Sequence, residues 1–285
     1  MLPNPILSFT LFGQKVSIYM YGICIAVGIL ACLIVFYVYT RKKNMNPDLQ
    51  DFIFIVAIVS IAAGFLFAKL FQAFYNYIET GTFDFERAGI TVMGGVMGGA
   101  GIFLAVYFGF GKLVFKGKKK GIHIKEFNKV FCVAPCCITI AHAFGRIGCL
   151  MAGCCHGKYL GTESGVGGIW MKHGGLAGYY VPTQLYEALF LFALFAVLSL
   201  IYFKKYNFTM HVYLIAYGVW RIFIEFFRDD ARGAVVLGLY PSQWTSIVFI
   251  VLGVGLFVFY SVRKIPMREV NINETEDKPE KEGIE

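Results

Sequence analysis

Two apolar stretches of this chain carry side chains that such stretches normally exclude. Between His142 and Gly157, Arg146 stands with His142, His156, Cys149, Cys154 and Cys155 at the end of an apolar run. A second stretch holds Tyr217, Arg221, Glu225 and Arg228, spaced by four, four and three residues. On a helix that spacing lines up a phenol, two guanidiniums and a carboxylate on one face. A charge at the centre of a bilayer costs about 2.5–3.5 kcal/mol on insertion scales, so a guanidinium there reads first as functional. The plainer account of Arg146 is a side chain snorkelling to a headgroup. For Arg221 it is an internal Arg–Glu ladder, which uses Glu225 with one arginine and leaves one positive charge over. A surplus guanidinium suits a bound anion, because its planar fork bonds two phosphate oxygens at once and keeps its charge in an apolar site. At bilayer depth the anion at hand is a lipid phosphate.

Such groups need a membrane scaffold to hold them, and the composition supplies one. The 285 residues are 58% hydrophobic, 17% aromatic and 15% charged, against roughly a quarter charged in soluble domains. Apolar segments fall at about 16–39, 52–74, 89–110, 128–151, 184–203, 211–227 and 243–262. The expected fold is all-α, a polytopic membrane bundle of about seven spans. The net charge of +8 lies in short loops, which points to topology and anionic lipid and away from nucleic acid. Arg41, Lys42 and Lys43 follow the first segment; Lys112, Lys116, Lys118, Lys119, Lys120 and Lys125 follow the third; Lys204 and Lys205 follow the fifth; Arg263, Lys264 and Arg268 follow the last. The intervening residues 75–88 hold Glu79, Asp84 and Glu86 against Arg87. By the positive-inside rule the N-terminus is expected outside and the C-terminus in the cytoplasm.

The first residues, Met1 to Lys15, lack a basic n-region and a small-residue cleavage site, and read as mature sequence. Residues 1–266 are expected to form one transmembrane catalytic domain, and 267–285 a short disordered cytoplasmic tail. The glycines after Met93, from Gly94 to Gly101, either let helices pack closely or break a helix at a ligand. The glycine-rich loop from Cys154 to Pro182 reads as an outer loop without clear secondary structure, either functional or mobile. The eight cysteines contain no paired CxxC zinc spacing and no isolated CxxC.

These residues together resemble the bacterial prolipoprotein diacylglyceryl transferases. The resemblance covers nearly the whole span region. It rests on Gly145-Arg146-Ile147-Gly148 with Gly153 and Gly157, on the block from Pro182 through Gln184 and Tyr186 to Glu187, and on Tyr217 through Arg228 followed by Asp229. Tyr21 with Gly22 fits a less specific family position. The sequence departs where the family has asparagine, asparagine and glutamate, here Cys149, Ala152 and Cys154, and where it has a histidine, here Met93. This marks a divergent, cysteine-rich branch.

The resemblance implies a multi-pass protein of the bacterial cytoplasmic membrane. Its implied activity moves a diacylglyceryl group from phosphatidylglycerol to the lipobox cysteine thiol of a preprolipoprotein, the first step of lipoprotein maturation. Arg146 and Arg221 would hold the phosphate, Glu225 and Arg228 would order the headgroup, and Tyr217 would donate to a substrate oxygen. Tyr21 and Gly157 would help bind the lipid. No metal or cofactor is needed for this chemistry. With Met93 unable to take a proton, His142, four residues before Arg146, is the candidate base and His156 the reserve. Rival readings are a relative that binds phospholipid without turnover or acts on another acceptor, a thiol or quinone oxidoreductase using Cys149, Cys154 and Cys155, and a metal transporter using Cys132, Cys136, His142, Cys149 and His156. The three outer cysteines are expected to be structural, with a catalytic role as the alternative, and spacing does not fix whether Cys149 pairs with Cys154 or Cys155 in a disulfide.

Overall fold

The computed structural model describes residues 4–11, 14–163, 167–173, 176–204, 206–228 and 238–267. The tail expected over 267–285 therefore falls almost wholly outside the described residues, as does Asp229. Eight helices appear among the described residues: α1 Met20–Lys42, α2 Pro47–Thr80, α3 Val92–Val114, α4 Ile122–Lys125, α5 Phe127–Ala152, α6 Thr183–Phe203, α7 Thr209–Glu225 and α8 Pro241–Val262. Six of them, α1, α2, α3, α5, α6 and α8, are long and apolar enough to cross a membrane. The protein is thus a polytopic helical membrane protein. The remaining expected segment corresponds to α7, whose 17 residues span about 26 Å at 1.5 Å per residue, slightly less than a hydrocarbon core.

The chain divides into two compact units, one made of Met1–Phe36 and Phe131–Glu285, the other of Tyr37–Val130. In the second, α2 outruns the apolar segment on both sides for local reasons. The Asn46 side chain caps the helix by accepting from the backbone N–H groups of Asp48 and Leu49 at 3.1 and 3.3 Å, and Pro47 fits the first turn. Gly81 closes it in the left-handed conformation. Helix α3 runs unbroken through its glycines, which meet α2: a Cβ on Gly98 would sit 2.3 Å from Phe67, and one on Gly94 2.5 Å from Phe71. The glycine run is therefore a packing surface. The side chain of Met93 lies outside the described residues.

The first unit opens with a hairpin where the sequence reading had only the start of a span. Strands β1 Leu7–Leu11 and β2 Gln14–Ile18 pair antiparallel, Leu7 opposite Ile18 and Ser8 opposite Ser17. The expected loop 154–182 also differs. It contains a three-stranded antiparallel sheet, ordered β3 Tyr159–Gly161, β5 Leu176–Tyr180, β4 Ile169–His173. Met171 and Tyr180 pack with Leu150 of α5 and half-buried Leu185 of α6, so the sheet is anchored on the helix ends by apolar contact. Elsewhere glycines set the helix crossings. Gly28 of α1 faces the Ala141 carbonyl of α5, Gly148 of α5 faces Tyr21, and Gly218 of α7 faces the Ser246 carbonyl of α8.

Candidate active site

Three helices of the first unit bring their polar groups to one place. Helix α5 offers His142, Arg146 and Cys149 at helical spacing, α6 offers Gln184 and Glu187 from its first turns, and α7 offers Tyr217, Arg221 and Glu225. Glu187 is the hub. Its side chain is fully buried, and Oε1 lies 3.0 Å from Arg146 Nη2, accepts from the Tyr217 hydroxyl at 3.2 Å and stands 3.8 Å from His142 Nε2. Arg221 pairs with Glu225 one turn along its own helix at 3.1 Å. Both are 7% exposed. The charge of this buried carboxylate is met by guanidiniums and Oε1 by donors, while Oε2 is buried with no hydrogen-bond partner among the described residues.

Arg146, Arg221 and Arg228 face Glu187 electrostatically, with Glu225 as the second carboxylate. The Nη1 group of Arg221 is buried and, among the described residues, has no hydrogen-bond partner. Buried donors are nearly always satisfied, so this orphan N–H suits an anion that arrives with the substrate.

The ladder reading holds for Arg221 with Glu225. Arg228 stands just past the end of α7, its backbone N–H bonded to the Glu225 carbonyl at 3.1 Å, and its Nη2 donates to the Cys155 carbonyl at 2.8 Å. It clamps the segment after α5. Tyr217 lies edge-on to the His142 ring, centroids 5.3 Å apart. Tyr21 joins the site through the Gly148 crossing, within electrostatic reach of Arg146 and the three cysteines. Gly157 holds the chain in place: its N–H is bonded to the Val181 carbonyl at 2.8 Å, and an added Cβ would lie 2.3 Å from the Phe227 carbonyl. It offers no spare donor to a lipid.

His142 is engaged differently from the expected base. Arg146 Nε donates to His142 Nε2 at 3.3 Å, so the lone pair a base would use already accepts a hydrogen bond. His156 donates from Nδ1 to the Gly157 carbonyl at 3.0 Å and packs against Tyr180, ring centroids 4.4 Å apart.

Comparison with known proteins gives the family. The family model for prolipoprotein diacylglyceryl transferase matches residues 8–259. A phosphatidylglycerol–prolipoprotein diacylglyceryl transferase of Clostridium tetani is 35% identical over 268 residues, covering 92% of this chain and 99% of the relative. A second enzyme of that name from Clostridium perfringens is 30% identical, covering 91% and 95%. One from Dehalococcoides mccartyi is 32% identical, covering 84% and 88%. The chain belongs to the prolipoprotein diacylglyceryl transferase family.

Within this transferase family member, the site depends on residues that the sequence reading left unassigned. Glu187 was visible as part of the block after Pro182, but its partners sit on α5 and α7. Gln184 Nε2 donates to the Cys154 carbonyl at 2.6 Å, and Thr183 Oγ1 to the Cys155 carbonyl at 3.0 Å; both side chains are fully buried. Hydrogen bonds from Cys149 and Cys154, with Arg146 and Arg228 acting in the same sense, hold the Cys155 thiol well below the usual thiol range. The transporter reading loses its grouping. Cys132 donates instead to Asn207 Oδ1 at 3.9 Å, and among the described residues the group of three or more ligand side chains that could share an ion is Cys149, Cys154 and Cys155.

Proposed function

We propose that the chain moves the diacylglyceryl group of phosphatidylglycerol onto the lipobox cysteine thiol of a preprolipoprotein in the bacterial cytoplasmic membrane. The observation that carries this is the buried Nη1 of Arg221, without a hydrogen-bond partner among the described residues and set in the cluster around Glu187. Arg146 and Arg221 hold the lipid phosphate, and Glu187 holds Arg146 in aim. The acceptor sulfur attacks the glyceryl carbon, the carbon–oxygen bond to phosphate breaks, and glycerol phosphate leaves with the electron pair. Charge grows on that phosphate as the bond breaks, so cations fixed beforehand favour the transition state over the bound lipid. Tyr217 donates its hydroxyl to Glu187 and so fixes the carboxylate that aims Arg146, Glu225 and Arg228 order Arg221 and the outer strap, and His142 positions Arg146. Purified protein given phosphatidylglycerol should release glycerol phosphate only when a lipobox peptide is present. Lipid binding without release would instead fit a relative that has lost turnover, the reading that Met93 favours.

The alternating basic loops support a site in the outer half of the membrane, with the N-terminus outside. Reporter fusions at Lys118 and at the C-terminus should read cytoplasmic, and a fusion near Gly167 external. A cytoplasmic Gly167 contradicts the orientation and the outer site together.

A further inference from the structure

We propose that Cys149, Cys154 and Cys155 form a three-thiolate site for a soft divalent cation of the zinc class, with a fourth position open to an incoming thiolate. Their three sulfur atoms all lie within 4.8 Å of one another. Zinc–sulfur bonds of about 2.3 Å at tetrahedral angles set sulfurs about 3.8 Å apart, so small side-chain rotations close the site. A disulfide needs two sulfurs and leaves the third unused, whereas a metal uses the whole convergence.

The backbone is built to bring these sulfurs together. Cys149 lies in the last turn of α5, and the Cys154 N–H bonds back to its carbonyl at 3.1 Å. Gly153 and Cys155 then take left-handed conformations, φ 71° and 61°. For a cysteine that conformation is uncommon, and it persists where the surroundings impose it. Here Gln184, Thr183 and Arg228 do so, gripping the carbonyls of Cys154 and Cys155. Outer groups that fix a ligand's backbone are typical of metal centres. Three thiolates with one dication carry a single negative charge, and Arg146 and Arg228 lie close enough to offset it.

Three protein ligands with one open position is the catalytic form of a zinc site, and a thiol that coordinates such an ion loses its proton outright. The role of the fourth position rests on the transferase reading. There the acceptor cysteine coordinates as thiolate, its proton passes to water, and its sulfur then attacks the glyceryl carbon with no change of oxidation state. That supplies the ionisation for which His142, already accepting from Arg146, is poorly placed.

Cobalt(II) is a direct probe, added to the full-length, thiol-reduced protein in detergent. The expected result is one cobalt per chain with intense thiolate-to-cobalt absorption, displaced by zinc, lost in Cys149→Ser and in Cys155→Ser, and kept in Cys24→Ser. Adding a lipobox peptide should shift the cobalt bands, and the same peptide with serine for cysteine should not. Reduced, folded wild-type protein without thiolate bands overturns the site, as does protein isolated with a disulfide among these cysteines that binds no cobalt after reduction. Bands that ignore a peptide which is nevertheless lipidated overturn the fourth position. A peptide left unlipidated by the native protein contradicts the transferase reading instead, while the cysteine-dependent bands still support the metal site.

Discussion

Arg146→Ala is expected to lower diacylglyceryl transfer by about 100- to 1000-fold, the usual effect of deleting one fixed donor aimed at developing negative charge. Arg221→Ala should behave alike, since its buried Nη1 is the donor without a protein partner among the described residues. Arg→Lys at either position should recover little, because a point charge cannot reproduce a two-pronged bond to phosphate. His142→Ala should cost less than Arg146→Ala, as it removes a positioning contact and leaves the guanidinium in place. Initial rates with saturating lipobox peptide, measured on variants that insert normally, provide the check. Full activity in Arg146→Ala would remove the phosphate role from α5.

The second large effect belongs to Glu187. Alanine there deletes the carboxylate that meets Arg146 at 3.0 Å and the Tyr217 hydroxyl at 3.2 Å. Leaving a buried charge without its partner costs about 3–5 kcal/mol. Glu187→Ala should therefore lower both the melting temperature in detergent and the transfer rate. Glu187→Gln keeps an acceptor for Tyr217 and should melt higher than the alanine variant while still losing transfer, because Arg146 is no longer charge-matched. Equal melting of wild type and Glu187→Ala would show that this carboxylate holds nothing together.

Arg146, Tyr217 and Arg221 were legible in the sequence because charge and phenol inside apolar runs stand out, and helical spacing alone lines up the α7 set. Glu187 was harder to assign. At the head of an apolar segment a carboxylate reads as a boundary residue, and its role depends on α5 and α7 meeting α6, which no local pattern encodes. The sheet of β3, β4 and β5 was masked by glycines such as Gly178, which reads as loop but lets Tyr159 approach to where a Cβ would sit 2.5 Å away. The early start of α2 comes from Asn46 and Pro47, an N-cap and a first-turn proline that the apolar pattern by itself does not register. Membership of the family was legible from the motifs around Arg146 and Arg221. The exchange of asparagine and glutamate for Cys149 and Cys154 was visible too, but the convergence of three sulfurs depends on the left-handed turn at Gly153 and Cys155, which spacing does not encode.

The central claim is that the chain alkylates a lipobox cysteine with the diacylglyceryl group of phosphatidylglycerol. Its most direct test is the mass of the peptide after incubation with purified protein and phosphatidylglycerol of a single known acyl composition. The account predicts a gain equal to that diacylglyceryl group, placed by fragmentation on the cysteine sulfur, and no gain when the cysteine is serine. An unchanged peptide mass, with active inserted protein and lipid in excess, would contradict it.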